Sequence, residues 1–189
     1  MKALIVAVCF LALIGCHSHP PVERGDEVTL RGKPVTLVGE SVKVGDAAPD
    51  FVAVAQDMSE KRLSDYKGKF VVLSVVPSVD TKVCSIQTKK FNESVGALKT
   101  NSVVLTVSMD LPMAQKRYCA AQGVDKVVML SDFRHWDFAE HWGLRIKESG
   151  LLARAVYVID PSGRVVYAEV VPELTTEPDY DAALRAIGS

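Results

Sequence analysis

The spacing of apolar and polar positions changes repeatedly along the chain, and each change marks an element. Val28-Thr29-Leu30 and Val35-Thr36-Leu37 alternate at period two around Arg31-Gly32-Lys33-Pro34, which predicts a hairpin. Residues 45–49 read as a loop, and residues 51–55 and 61–63 as short strands separated by a polar turn at 56–60. Residues 70–76 form a β-branched apolar run closed by Pro77, the pattern of a central strand buried on both faces. From Thr81 onward Cys84, Thr88, Phe91, Val95 and Leu98 recur at helical spacing and share one face.

Residues 103–107 predict another buried strand. Pro112 suits a helix start and Gly123 a helix end, so residues 113–122 predict the next helix. Residues 127–130 read as a strand, residues 136–142 as a short helix ending at Gly143, and residues 179–187 as a final helix. Residues 155–159 and 165–171 form a hairpin across Asp160-Pro161-Ser162-Gly163. Strand, helix, strand, helix, strand, then a hairpin, predicts a three-layer α/β domain with a mixed central sheet and an added N-terminal β-hairpin.

Ahead of this domain the pattern is different. Lys2 precedes an uncharged apolar run from residue 3 to 15. A membrane-crossing helix needs about 20 apolar residues, so this run reads as a secretory signal. Leu13-Ile14-Gly15-Cys16 resembles a bacterial lipobox. That resemblance implies cleavage before Cys16, lipidation of its sulfur and an exported chain anchored to a membrane of the cell envelope. Residues 16–25, polar and carrying Pro20-Pro21, read as a tether, and residues 26–189 as the domain.

Composition narrows the function. The chain has 22 basic and 23 acidic residues, so there is no basic excess to neutralise nucleic-acid phosphates. Hydrophobic residues at 48% exclude a disordered chain. Cys9 lies in the signal and Cys16 at the lipobox, which leaves Cys84 and Cys119 in the domain. No C-x-x-C occurs, and no cysteine–histidine cluster at zinc spacing. His135 and His141, six positions apart, fall on different helix faces. No glycine-rich phosphate loop or G-x-S-x-G elbow is present either. Trp136, Phe138 and Trp142 read as packing residues.

Cys84 is the informative residue. It falls in the first turn of its predicted helix, where unpaired amide N–H groups and the helix dipole stabilise an anion. A less basic thiolate is a weaker nucleophile, so an efficient site also needs donors aimed at the transition state. A buried inert thiol, or a permanent bridge to Cys119, is the alternative on residue type alone.

Pro77-Ser78-Val79-Asp80-Thr81-Lys82-Val83-Cys84 carries the P-x-x-x-T-x-x-C pattern of peroxiredoxins. With Phe91-Asn92 downstream, the segment resembles the bacterial thiol peroxidase subfamily. Gly45-Asp46-Ala47-Ala48-Pro49-Asp50-Phe51, Asp110-Leu111-Pro112 with Cys119, Ala153-Arg154-Ala155-Val156 and Thr175-Thr176-Glu177-Pro178-Asp179-Tyr180 resemble it in the same order. The resemblance implies a thioredoxin-like fold and a cofactor-free, metal-free peroxidase acting on alkyl and lipid hydroperoxides and H₂O₂. Cys84 would be the peroxidatic cysteine, with Thr81 and Arg154 donating to the sulfur and the peroxide and Pro77 shielding the sulfur. Cys119 would resolve the sulfenic acid as an intramolecular disulfide, with both helices unwinding locally. A thioredoxin-like dithiol would reduce the disulfide, and a homodimer is expected. The rival classes are a peroxide sensor or redox relay and a non-enzymatic envelope lipoprotein.

Overall fold

The computed structural model describes residues 21–98 and 101–188. The signal segment, Cys9 and Cys16 lie outside the described residues.

The chain opens with strands β1 (Glu23–Leu30) and β2 (Lys33–Val38), followed by β3 (Val52–Ala55), β4 (Glu60–Arg62) and β5 (Phe70–Val75). Helix α1 (Lys82–Ser94) leads to β6 (Ser102–Ser108), α2 (Pro112–Gln122), β7 (Val128–Ser131) and α3 (Asp137–His141). Strands β8 (Arg145–Ile146), β9 (Ala155–Ile159) and β10 (Val165–Val170) precede the final helix α4 (Tyr180–Arg185). The main sheet runs β10-β9-β5-β6-β7-β3-β4, and β1-β2-β8 form a small antiparallel sheet. In the main sheet β5, β6 and β7 are parallel, and β9 and β3 flank them antiparallel.

Alternation explains the layers. On β5, Val71, Leu73 and Val75 face the core shared with α3 and the hairpin, while Val72, and Val76 just beyond the strand, face the core shared with α1, α2 and α4. On β9, Ala155, Tyr157 and Ile159 take the first side, and Val156 and Val158 the second. Both faces are buried, so the strands read as continuous apolar runs. Phe51, Phe138, Trp142 and Tyr157 stack edge to face or in parallel in the first core, the packing role read for Phe138 and Trp142. His135 and His141 pair with Glu60 and Asp137 near the surface.

Several boundaries differ from the sequence reading. Strand β1 starts at Glu23, so residues 23–25 belong to the hairpin and not to the tether: Lys147 pairs with Glu23, and the Arg24 guanidinium donates to the carbonyls of Gly39 and Gly143. Leu63 opens a 3₁₀ turn (Leu63–Tyr66), because the Asp65 carboxylate accepts from the Arg62 amide and bends the chain. Strand β8 is only two residues long, too short for a periodic signal. Helix α4 starts one residue later than expected, with Asp179 capping the Ala182 amide at 2.8 Å.

Asp132, at the end of β7, is fully buried, and its carboxylate accepts the Phe138 and Ala139 amides at 3.1 and 2.8 Å. Burial outweighs those bonds, the Asp137 charge adds to it, and the carboxyl is pushed up to about 6. A raised carboxyl favours folding while it is protonated, and that contribution is lost as the pH rises through about 6. Lowering the pH from 7 to 5 therefore raises stability through this group by about 1–2 kcal/mol. Urea denaturation of wild type and Asp132→Asn across that range checks this: the gain is expected in wild type alone, and equal slopes contradict it.

Candidate active site

The C-terminal end of β5 sets the site. The Val76 amide still bonds to the Val107 carbonyl, and Pro77, which is buried and has no N–H to extend the ladder, ends the strand. The loop that follows is tied down by Asp110: Ser78 Oγ donates to one carboxylate oxygen at 2.7 Å, and the Val79 amide and Ser108 Oγ donate to the other at 2.8 Å each. Three donors, two from this loop and one from the end of β6, thus converge on one carboxylate just ahead of α1.

Thr81 is the N-cap of α1, with the extended backbone expected of a cap (φ −92°, ψ 147°), but its side chain caps no amide. Its hydroxyl donates to Cys84 Sγ at 2.8 Å. The side chain thus serves the sulfur and not the helix N-terminus. Cys84, the third helical residue, has no exposed surface.

Arg154 reaches the same sulfur from across the sheet. Strands β5 and β9 pair antiparallel with Val75 opposite Ala155, so the residue before β9 lies beside the loop after β5. Alternation along β9 puts Arg154 on the face of Val156 and Val158, which is the face of Cys84. Arg154 is 1% exposed. One Nη donates to Cys84 Sγ at 3.3 Å and to the Leu174 carbonyl at 2.9 Å; Nε donates to the same carbonyl at 3.1 Å; the other Nη donates to Gln87 Oε1 at 2.7 Å. Among the described residues its hydrogen-bond partners include no carboxylate.

Gln87 was not among the expected site residues. It is fully buried one turn beyond Cys84, and its amide N–H₂ donates to Ser74 Oγ at 2.9 Å. A polar residue at a core-facing helical position was the available signal. Glu173 was also missed. Its carboxylate accepts from the Arg31 and Gly32 amides and from the Thr29 and Thr175 hydroxyls, which clamps the β1–β2 turn to the segment carrying Leu174. These bonds, the Thr175 hydroxyl first, hold the Glu173 carboxyl well below the usual carboxylate range.

A cleft of about 720 Å³ opens beside the sulfur, lined by Pro77, Thr81, Val83 and Arg154 and walled by apolar residues such as Ile146 and Leu151. Cys119 lies apart, on α2. Its sulfur accepts from the Gln56 side-chain amide at 3.1 Å, and burial pushes its thiol up while that bond opposes the shift. Both cysteines are free thiols with different partners. Of the expected residues, Pro77, Thr81, Cys84 and Arg154 come together, and Cys119 sits on the neighbouring helix.

Comparison with known proteins shows the family and the fold. The sequence profile described as Redoxin matches residues 43–184. The chain is 54% identical over 157 residues to a protein named thiol peroxidase from Oceanobacillus iheyensis, covering 83% of this chain and 95% of the relative. It is 53% identical over 161 residues to a thiol peroxidase from Bacillus subtilis, with coverages of 85% and 95%. The crystal structure of a peroxiredoxin-like protein from Aquifex aeolicus superposes with a TM-score of 0.80 at 43% identity, covering 89% of this chain and 98% of that one. A thiol peroxidase from Chromobacterium violaceum, at 20% identity and a TM-score of 0.74 over 82% and 91% of the two chains, shares the fold. The chain belongs to the redoxin family, and its fold is thioredoxin-like. Within the family its relatives are the thiol peroxidases.

Proposed function

We propose that the chain reduces hydroperoxides through Cys84. The observation that carries this reading is a fully buried sulfur accepting from both Thr81 and Arg154, the latter a buried cation that bonds to no carboxylate. In the reaction proposed here the sulfur acts as a thiolate, an anion in direct contact with that cation. Its sulfur attacks the distal oxygen of ROOH, the O–O bond breaks, and the leaving alkoxide takes a proton to give ROH. Cys84 is left as a sulfenic acid. Arg154 and Thr81 donate to the oxygen that gains charge, and Pro77 restricts access to the sulfur.

Cys119 then attacks the Cys84 sulfenic sulfur, water leaves, and an intramolecular disulfide forms. The apolar walls of the cleft favour organic hydroperoxides, alkyl or lipid, over H₂O₂. A dithiol protein of thioredoxin-like fold returns both cysteines to thiols, and the working unit is a homodimer. Lipidation at Cys16 holds the domain at an envelope membrane, beside lipid substrates.

Stoichiometric oxidation tests the chemistry. With the reduced domain and one equivalent of cumene hydroperoxide, two thiols and two hydrogens are lost in wild type, none in Cys84→Ser, and Cys119→Ser stops at a sulfenic acid. Sustained peroxide consumption follows when a thioredoxin system is added. If wild type and Cys84→Ser stay equally reduced, the proposal fails. The anchor is checked separately in a bacterial host: the full chain sediments with membranes and Cys16→Ser releases it, whereas identical partitioning of the two contradicts lipidation.

A further inference from the structure

Helices α1 and α2 carry the two cysteines, and beside those cysteines the Tyr118 hydroxyl on α2 joins the helices through Ser85 and Thr88 on α1. Ser85 follows Cys84 and Tyr118 precedes Cys119. The Tyr118 hydroxyl donates to the Ser85 carbonyl at 3.2 Å and lies 3.1 Å from Ser85 Oγ. The ring is half-buried, so this link is partly shielded from water. The other cross-links are more remote from the sulfurs. Lys89 Nζ donates to Gln122 Oε1 at 3.0 Å, and Asn92 Oδ1 accepts the Asp125 and Lys126 amides beyond the end of α2.

Each sulfur has its own partners, Thr81 and Arg154 for Cys84 and Gln56 for Cys119. A disulfide requires the two sulfurs at about 2.05 Å with their Cα atoms within about 7 Å. Moving Cys84 out from between Thr81 and Arg154 unwinds the first turn of α1 and takes Ser85 with it. Moving Cys119 displaces Tyr118. Either motion breaks the Tyr118–Ser85 link, while the remote bonds keep the helices adjacent.

We propose that Tyr118 is a positioning residue that sets the rate at which Cys84 and Cys119 meet. The inference rests on the proposed roles of the two cysteines. While the clasp is closed, the Cys84 sulfenic acid stays in its pocket and has two fates. Cys119 displaces water from it to give the disulfide, or a second ROOH transfers an oxygen to it, giving a sulfinic acid and ROH. A slow-opening clasp lengthens the exposure to the second peroxide, so the tyrosine hydroxyl makes the chain sensitive to over-oxidation at high peroxide.

Tyr118→Phe removes the hydroxyl and keeps the ring. Rapid-quench mass analysis with cumene hydroperoxide reads sulfenic acid, disulfide and sulfinic acid separately. Loss of one hydrogen-bonded contact corresponds to disulfide closure about 3- to 10-fold faster. The first oxidation of Cys84 proceeds at the wild-type rate, and the sulfinic fraction at excess peroxide falls by a similar factor. Ser85→Ala keeps the backbone acceptor and gives a smaller change in the same direction, and the double variant behaves as Tyr118→Phe alone. Unchanged or slower closure in Tyr118→Phe, with a lower urea midpoint, makes Tyr118 a packing residue and overturns the inference. Failure of wild type to form any sulfenic acid or disulfide overturns instead the reading of the cysteines on which it stands.

Discussion

An arginine side chain buried to 1% exposure must find acceptors within the protein, and Arg154 finds them on α1 and on the segment after β10. The Leu174 carbonyl takes two of its bonds, Gln87 one, and Cys84 Sγ one. Leaving a single buried donor unpaired costs about 1–3 kcal/mol, and more for a charged group, so each acceptor is held in place by the need of the others. Gln87 is oriented by its second bond, to Ser74 on β5. Leu174 is fixed by its own amide, which bonds the Thr29 carbonyl, and by Glu173 beside it. The N-terminal hairpin therefore does more than cover one face of the sheet. Through Glu173 and Leu174 it holds the arginine against the sulfur.

The arrangement also explains why the sulfur is buried. A thiol facing solvent would meet peroxide freely, but Thr81 and Arg154 would be hydrated and their bonds to it weakened. At the wall of a mostly apolar cleft, the same donors keep their geometry and their strength. The proposed disulfide step therefore requires Cys119 to leave the Gln56 amide and Cys84 to leave Thr81 and Arg154. Tight construction around the first reaction step and mobility in the second are opposing demands on the same turn of α1.

Much of this was legible in the sequence. The apolar runs of β5, β6 and β9 and the helical spacing from Cys84 onward came from periodicity, because both faces of the sheet are buried and α1 packs one face. Thr81 and Cys84 share a helical turn, so their meeting follows from spacing. Arg154 is different. Seventy positions separate it from Cys84, and only the antiparallel register of Val75 with Ala155 brings them together, which no local pattern contains. Its place came from a family resemblance. Gln87 was readable as a polar residue on a core face, whereas Asp110 and Glu173 act through backbone amides of distant loops and left no periodic trace. The two-residue β8 and the 3₁₀ turn at Leu63 are shorter than any periodicity can report.

The central claim is that Cys84 reacts because a fork-shaped cation and a hydroxyl meet at its sulfur, and Arg154→Lys tests it most directly. Lysine keeps the positive charge but loses the planar fork that binds Leu174, Gln87 and the sulfur at once. In a Cys119→Ser background, the second-order rate of Cys84 sulfenic acid formation with cumene hydroperoxide should fall about 100-fold, the scale of losing one transition-state donor. A rate within about twofold of the arginine form would mean that charge alone suffices, and that the buried hydrogen-bond fork around Arg154 is not what makes the sulfur reactive.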